Sequence, residues 1–243
     1  MEDTDLIYRG SFNYINDGVS YTQENFEIFH SESSGGLLLK SETLSRASTG
    51  DFLKINIQYL VNKKFLPVNV KVEKNLGTLK VTETYISQYK EQSINYHFQN
   101  DRGQDIKKVI ATPSNYQIAT PSVCFSLMFT KSRKPDLNVR TRYILLSSEN
   151  TWEYVKPIQS LEVYVESPTT KTATINLGDN DLTANVFHLY QHDAGDTKHR
   201  DEKPVIYYLS DHLCIPYLVE DPSGLKIEVK SLNDLTANRV KNL

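Results

Sequence analysis

The sequence predicts an all-β protein in which a large curved antiparallel sheet forms an open or half β-barrel with one short covering helix. Two observations carry this prediction. Ala, the strongest helix former, occurs only 7 times in 243 residues, whereas 17 Val, 16 Ile, 19 Thr and 15 Tyr residues favour strands. Short runs of strand-forming residues also fill nearly the whole chain, separated by turn residues at roughly ten-residue spacing. A two-sheet sandwich is the alternative architecture.

The strand-like runs can be placed in order along the chain. The first two flank Asn16-Asp17-Gly18, a strong hairpin signal. In the first half the runs cover 6–15, 21–30, 37–44, 52–61, 68–73, 79–87, 93–99 and 106–111. In the second half they cover 139–147, 152–156, 161–166, 172–177, 184–191, 205–209, 215–219 and 225–229. About fifteen short strands are typical of an antiparallel sandwich or barrel.

One segment departs from the strand pattern. Thr120 and Pro121 are suited to the cap and first turn of a helix, and Pro135 prevents its continuation. The residues between them are apolar nearly all round, so a helix over 121–131 would be buried or would plug an opening. A buried strand is the alternative reading.

The domain organisation follows from the same reading. We treat residues 1–243 as one all-β domain, with a weak seam near 112–138 where the pattern changes. Residues 233–243 are expected to form a short helix or a frayed end.

An internal echo relates two parts of the chain. The run from Ile57 to Pro67 matches the run from Ile206 to Pro216 in the spacing of its Tyr-Leu, Asn or Asp, and Pro residues. Each copy is followed by a Gly turn and a third strand. The echo predicts two related three-strand units within one sheet, with Pro opening the second strand of each.

The order of these elements resembles bacterial half-barrel families of unknown function. The Tyr-Leu strand, the Asn or Asp turn, the Pro strand and the Gly turn carry the resemblance, which is strongest over residues 139–231. In those families a curved antiparallel sheet wraps around a helix or groove. Their architecture is related to that of the lipoprotein carrier LolA and of putative glycolipid-binding proteins. The resemblance implies a fold and a lipid-like ligand, but it assigns no functional residue.

Charge and composition exclude several classes of function. With 27 basic and 30 acidic residues the net charge is −3, so no nucleic-acid partner is expected. No run approaches the roughly 18 apolar residues of a transmembrane helix. The acidic start lacks an apolar leader, which predicts a cytoplasmic protein if Met1 is the native start; a trimmed exported protein would look the same. Cys124 and Cys214 fit neither a disulfide framework nor a zinc site, so we expect two reduced core thiols.

The histidines are the candidate catalytic residues. His188 and His192 alternate on one predicted strand and so share one face, while His212 lies two residues before Cys214. A polar, solvated strand face is the simpler explanation for them. The sequence contains no nucleophile elbow, phosphate-binding Gly loop or His-Glu-x-x-His motif. We therefore predict no cofactor and no metal, and a non-enzymatic protein is favoured over an enzyme.

The aromatic residues suggest a pocket for an amphiphile. Tyr and Trp combine an apolar body with a hydrogen-bonding tip, which suits such a ligand, although the same residues also make ordinary cross-strand pairs. The candidate ligand-binding residues are Trp152, Tyr143, Tyr190, Tyr208, Phe125 and Met128. A local basic cluster that could meet an anionic head group comprises Lys131, Arg133, Lys134, Arg140 and Arg142.

The leading hypothesis is non-enzymatic binding or carriage of a hydrophobic or amphipathic, lipid-like small molecule in the half-barrel groove. It predicts a continuous apolar cavity of about 300 Å³ or more. One alternative is a cofactor-independent enzyme on the same scaffold, of the cyclase or isomerase kind. The other is a structural or protein-interaction module that docks partners through sheet edges. No oligomeric state is implied.

Overall fold

The structure, a computed structural model, describes residues 4–47, 50–169, 172–178, 180–193, 196, 202–211 and 213–236. These form sixteen strands in one continuous sheet, so the all-β open-barrel prediction is confirmed. The strands before the middle of the chain are β1 (Thr4–Asn16), β2 (Val19–Ser31), β3 (Gly36–Arg46), β4 (Phe52–Val61), β5 (Pro67–Leu76), β6 (Leu79–Gln88), β7 (Ser93–Asn100) and β8 (Asp105–Ala111). Those after it are β9 (Gln117–Ile118), β10 (Thr141–Ser147), β11 (Gln159–Glu166), β12 (Thr172–Leu177), β13 (Asn180–Tyr190), β14 (Val205–Leu209), β15 (Pro216–Glu220) and β16 (Lys226–Asp234).

The strand order is nearly a simple meander. Strands β1 to β8 follow one another outward in one direction, and β10 to β16 return from the opposite edge, with β12 beside β13 as a side branch. The two halves meet where β1 pairs antiparallel with β16, so the first and last strands are neighbours within the sheet. One long connection, residues 112–140, crosses between the two outer edges; we call it the crossover segment.

Strict alternation places the core on one face of the sheet. Along β2, Thr22, Glu24, Phe26 and Ile28 are buried while the residues between them are exposed. The same period continues through the neighbouring strands, so one face is buried and the other is polar. Residues of the crossover segment belong to the same hydrophobic cluster as this buried face. The sheet therefore wraps around the crossover segment, which fills much of its interior.

The predicted covering helix is much shorter than expected. Only Phe129–Ser132, here α1, is helical, and the preceding residues form successive turns with backbone bonds between positions three apart. The hydroxyls of Ser126 and Thr130 donate to the carbonyls three residues before them, at 2.7 Å each. Such side-chain bonds compete with the α-helical ladder, which the sequence pattern did not take into account.

The internal echo is confirmed as a structural repeat. In both copies the Pro residue opens the second strand, at the starts of β5 and β15. The turn residues Phe65 and Cys214, which correspond in the echo, both have left-handed backbones, with φ of 58° and 55°. Each pair of strands also has a register irregularity just before its turn. The two units thus share a turn geometry as well as a spacing.

Other details differ from the sequence expectation. The run at 152–156 is not a strand, because the Asn150 side chain accepts hydrogen bonds from the backbone N–H groups of Val155 and Lys156 and folds the segment into a loop. Strand β16 continues to Asp234, and the end of the expected tail, 237–243, lies outside the described residues. Within the described ranges, no helix has the length and apolar character needed to cross a membrane.

Candidate functional site

The crossover segment is tied to the sheet by buried polar contacts. The Tyr59 hydroxyl, on β4, accepts a hydrogen bond from the Ile118 backbone N–H at 3.1 Å and donates to Gln117 Oε1 at 3.3 Å. Gln117 Nε2 in turn donates to the carbonyl of Phe65 at 3.0 Å. Burial raises the pKa of the Tyr59 phenol, so it remains a neutral donor. These bonds make the segment a fixed part of the interior.

A second anchor is the carboxyl group of Glu24, which is fully buried. Tyr14 Oη donates to Glu24 Oε2 at 2.6 Å, the Val123 backbone N–H donates to the same oxygen at 3.0 Å, and Ser122 Oγ donates to Oε1. Burial raises the pKa of this carboxyl, and the bonds from Ser122, Tyr14 and Val123 act in the opposite direction. Glu24 therefore links β2 to the start of the successive turns that precede and enter α1, residues 122–131, which we call the covering turns.

An interior cavity remains beside the covering turns. It has a volume of about 150 Å³, and we call it the plug cavity. Its wall combines strands from both halves of the sheet with the crossover segment: Tyr59, Gln117, Ile118, Ala119, Thr120, Phe125, Ser126, Met128, Phe129, Leu145, Leu189 and Tyr207. Two candidates, Phe125 and Met128, thus line a partly open and mostly apolar space.

A larger pocket of about 340 Å³ opens at the rim of the interior, and we call it the rim pocket. Its lining residues are Leu53, Ile55, Lys74, Ala119, Thr120, Pro121, Ser147, Ser148, Thr151 and Trp152. It includes the candidate Trp152, and it shares Ala119 and Thr120 with the wall of the plug cavity. The cavities therefore adjoin along one short stretch of backbone, although neither alone is the continuous apolar chamber that the sequence predicted.

A buried ionic cluster lies beside the rim pocket. Lys74 Nζ on β5 donates to Glu83 Oε1 at 3.1 Å and to the Asn150 carbonyl at 3.0 Å. Glu83 Oε2 accepts from Tyr85 Oη at 2.7 Å and Tyr96 Oη at 3.3 Å. The Glu83 side chain is 2% exposed and that of Lys74 is 16% exposed. Burial and the neighbouring carboxylate raise the pKa of both tyrosines, so they remain hydrogen-bond donors.

The loop at 148–157 closes over this cluster. Asn150 Nδ2 contacts Tyr96 Oη at 3.4 Å and donates to the Lys156 carbonyl at 2.9 Å. Asn100 Nδ2, at the end of β7, donates to the carbonyl of Trp152 at 3.0 Å. The loop thereby fixes the backbone of Trp152, which is one of the lining residues of the rim pocket.

The two candidate catalytic histidines that the structure describes, His188 and His192, are not among the residues that line either cavity. His188 pairs in register with Glu166 on the neighbouring strand, while Phe187 and Leu189, on the opposite face of β13, pack against the main hydrophobic cluster. His192 Nδ1 lies 3.4 Å from Glu202 Oε2. His212 lies outside the described residues. Within the described ranges, no three His, Cys, Asp or Glu side chains are placed to share a metal ion.

The remaining aromatic candidates pack locally. Tyr143 lies against Phe129, with ring centroids 4.7 Å apart, and its hydroxyl donates to the Arg133 carbonyl at 2.6 Å. The guanidinium of Arg140 lies over the ring of Tyr190, 3.5 Å from its centroid. Tyr208 packs against a small separate hydrophobic cluster of Ile175, Ala184 and Leu218. Its hydroxyl donates to Glu220 Oε2 at 3.1 Å. None of the three contributes to the wall of the plug cavity or the rim pocket.

The basic cluster and the cysteines are also engaged locally. Lys131 Nζ donates to the Asp211 carbonyl at 3.0 Å, and Arg142 pairs with Glu162. Cys124 and Cys214 are free and buried, as expected. Burial raises the pKa of both thiols, which disfavours the nucleophilic thiolate.

Comparison with known proteins agrees with the architecture. The chain has the fold of β-barrel-like proteins whose function is unknown. One structural neighbour is a β-barrel-like protein of the domain of unknown function DUF1849 from Brucella abortus, with a TM-score of 0.53 and 9% identity over 95% of this chain and 98% of that one. Another is a DUF1089 family protein from Pseudomonas aeruginosa, with a TM-score of 0.50 and 10% identity over 84% and 89%. At such identities the likeness shows the fold alone. No protein-family model and no curated protein matches the chain.

The buried charged residues Lys74 and Glu83 are not among the candidates predicted from the sequence, although the alternation of inward and outward positions along their strands indicates them. Val70, Val72 and Lys74 share one face of β5, so continuing the apolar alternation places Lys74 inward. Glu83 likewise lies between Val81 and Tyr85 on the buried face of β6. A charged residue at an inward position of a strand is a stronger indication of a site than a histidine on a polar face.

Proposed function

We propose that this protein binds a hydrophobic or amphipathic, lipid-like small molecule in the groove formed by the plug cavity and the rim pocket, without transforming it. The observation that carries the proposal is the adjacency of these two spaces at Ala119 and Thr120. The plug cavity, of about 150 Å³, is similar in volume to protein cavities that bind a benzene-sized group. The plug cavity can thus hold the apolar end of a ligand whose polar end lies in the rim pocket.

The resemblance to half-barrel families supports the same proposal. Relatives in architecture such as the carrier LolA and putative glycolipid-binding proteins would place the lipid against the concave face of the sheet. In this chain the crossover segment occupies much of that face, so we place the ligand beside the segment.

A cofactor-independent enzyme is the second candidate, and the cluster around Glu83 is the observation that favours it. A buried carboxylate with a lysine and two tyrosines at a pocket can mark a catalytic site. However, three donors already occupy the oxygens of the Glu83 carboxylate, and both phenols have raised pKa values. The arrangement is better suited to binding charge than to moving a proton.

The proposal is tested by mass spectrometry on the full chain. An organic extract and the intact native protein are measured for the wild type, for Ala119→Leu, which fills the shared boundary, and for Ala111→Leu at an exposed position as control. We expect a stoichiometric small molecule in the wild type and the control, and its loss from Ala119→Leu with the fold retained. The proposal would be refuted if the wild type carries no small molecule and its Trp152 fluorescence does not change when alkyl and aryl amphiphiles are added.

A further inference from the structure

We propose that the rim pocket binds the anionic head group of a single-chain amphiphile, and that Lys74 is the residue that recognises it. This inference rests on the proposed function and adds the chemical class of the ligand. The head group is one that carries negatively charged oxygens, either a carboxylate or a phosphate.

The charge of the rim pocket is the first argument. Among the described residues that line it, Lys74 is the only charged one, and none is acidic. Four of the others carry hydroxyl groups, namely Thr120, Ser147, Ser148 and Thr151. One ammonium surrounded by hydroxyl donors and an indole is a suitable environment for an anion that also has an apolar neighbour.

The hydrogen bonds of Lys74 are the second argument. An ammonium group has three N–H donors, and the structure shows two of them in use, on Glu83 Oε1 and the Asn150 carbonyl. These acceptors fix the position of the nitrogen, and the Lys74 side chain lines the pocket. The third donor is available to a ligand, without the cost of ordering a flexible lysine side chain on binding.

The position of Glu83 is the third argument. Its carboxylate is not part of the pocket wall, and its second oxygen is occupied by the hydroxyls of Tyr85 and Tyr96. The negative charge is therefore held behind Lys74 and shared among three donors. A ligand in the rim pocket meets the positive end of the ion pair, so the pocket should prefer anions to cations.

The chain contains one tryptophan, Trp152, and it lies in the rim pocket, so its fluorescence reports binding there. Four probes with the same twelve-carbon chain are titrated below their micelle concentrations: dodecanoate, dodecyl phosphate, dodecanol and dodecyltrimethylammonium. Sodium acetate and inorganic phosphate are added as free anions. We expect both anionic amphiphiles to bind about 10- to 100-fold more tightly than dodecanol, as charge-assisted hydrogen bonds do. The ratio of the two anions identifies the head group.

The decisive variant is Lys74→Met combined with Glu83→Gln, which removes the pair together and leaves no unpaired buried charge. The control is Lys71→Met, which removes a lysine from the exposed face of the same strand, where it pairs with Glu73. We expect the double variant to lose the preference for anions while keeping its affinity for dodecanol, and the control to behave as wild type. Thermal melts confirm that each variant is folded.

The outcomes separate the two proposals. Equal binding of dodecanol and dodecanoate by the wild type, or a preference for anions that survives in the double variant, would overturn the role of Lys74 but leave the proposed function standing. A wild type that binds none of the four probes would overturn the proposed function. Inorganic phosphate binding as tightly as dodecyl phosphate would overturn both, because the alkyl chain would then contribute nothing.

Discussion

Replacing Glu24 tests whether its buried carboxyl fastens the crossover segment to the sheet. Glu24→Leu places an apolar side chain at the buried position, and it leaves Tyr14 Oη, Ser122 Oγ and the Val123 N–H without their acceptor. Each unsatisfied buried donor costs about 1–3 kcal/mol, so allowing for rotation of the hydroxyls we expect a loss of about 3–6 kcal/mol. The free energy of unfolding of native proteins is about 5–15 kcal/mol, so the expected loss is a large share of the total stability.

Glu24→Gln separates the hydrogen bonds from the charge. The amide oxygen can take the place of Oε2, which accepts two of the bonds, and the Ser122 hydroxyl can rotate to accept from the amide nitrogen. We therefore expect a change of less than about 1.5 kcal/mol at pH 4.5. The matched control is Glu27→Gln, which alters an exposed residue of the same strand.

The pH dependence of these variants follows from the raised pKa of Glu24. Between the unfolded pKa, about 4.3, and the higher folded pKa, the folded chain binds more protons than the unfolded chain. The stability of the wild type should therefore fall relative to Glu24→Gln as the pH rises through that window. The fall is about 1.4 kcal/mol for each unit by which folding raises the pKa.

The assay is urea unfolding of wild type and variants at half-unit steps from pH 4.5 to 8. The difference between wild type and Glu24→Gln should change with pH, while Glu27→Gln should run parallel to the wild type. Parallel curves for all three proteins would show that the buried carboxyl does not carry a raised pKa. A Glu24→Leu variant within about 1 kcal/mol of wild type would show that the carboxyl does not anchor the segment.

Two further substitutions probe the packing of the same interior. Tyr59→Phe leaves the Ile118 N–H and Gln117 Oε1 without their hydroxyl partner, so urea melts should show a loss of about 2–4 kcal/mol; a neutral result would mean that water replaces the hydroxyl. Gly36→Ala places a methyl group 2.1 Å from the Val61 carbonyl oxygen, a contact that only backbone movement relieves, and thermal melts should show a loss of at least about 2 kcal/mol. An unchanged melting temperature would contradict the close approach of β3 and β4.

Fold and site differ in how far the sequence predicts them. The alternation in β2 and the turn at Asn16-Asp17-Gly18 are local signals, and local signals were sufficient for the strands. The same parity would have placed Glu24 inward. Tyr14 lies ten residues from Glu24, but the other two partners, Ser122 and Val123, lie almost a hundred residues away, and no local pattern contains a contact of that range.

The candidate ligand residues show the same limit from the other side. Trp152, Phe125 and Met128 line cavities because the crossover segment and its neighbouring loop fold onto the sheet. Tyr190, by contrast, is a candidate only because of the chemistry of its side chain, and its ring lies under Arg140. Residue type alone does not determine which face of a strand a side chain occupies. Register and parity determine it, and they depend on pairing with other strands.

The pairing of β1 with β16 has a consequence for how the protein is made. During synthesis, β1 to β8 leave the ribosome as a complete meander, yet the edge of β1 has no partner until the last strand has been synthesised. The pairing that joins the two halves of the sheet brings Tyr8 beside Asp234, which is close to the largest sequence separation in the described chain. Such long-range pairings form slowly. A chain that stops before β16 exposes the edges of both β1 and β15 as templates for another copy. Synthesis and pairing of β16 are thus the step that protects these edges of a nascent chain from pairing with its neighbours.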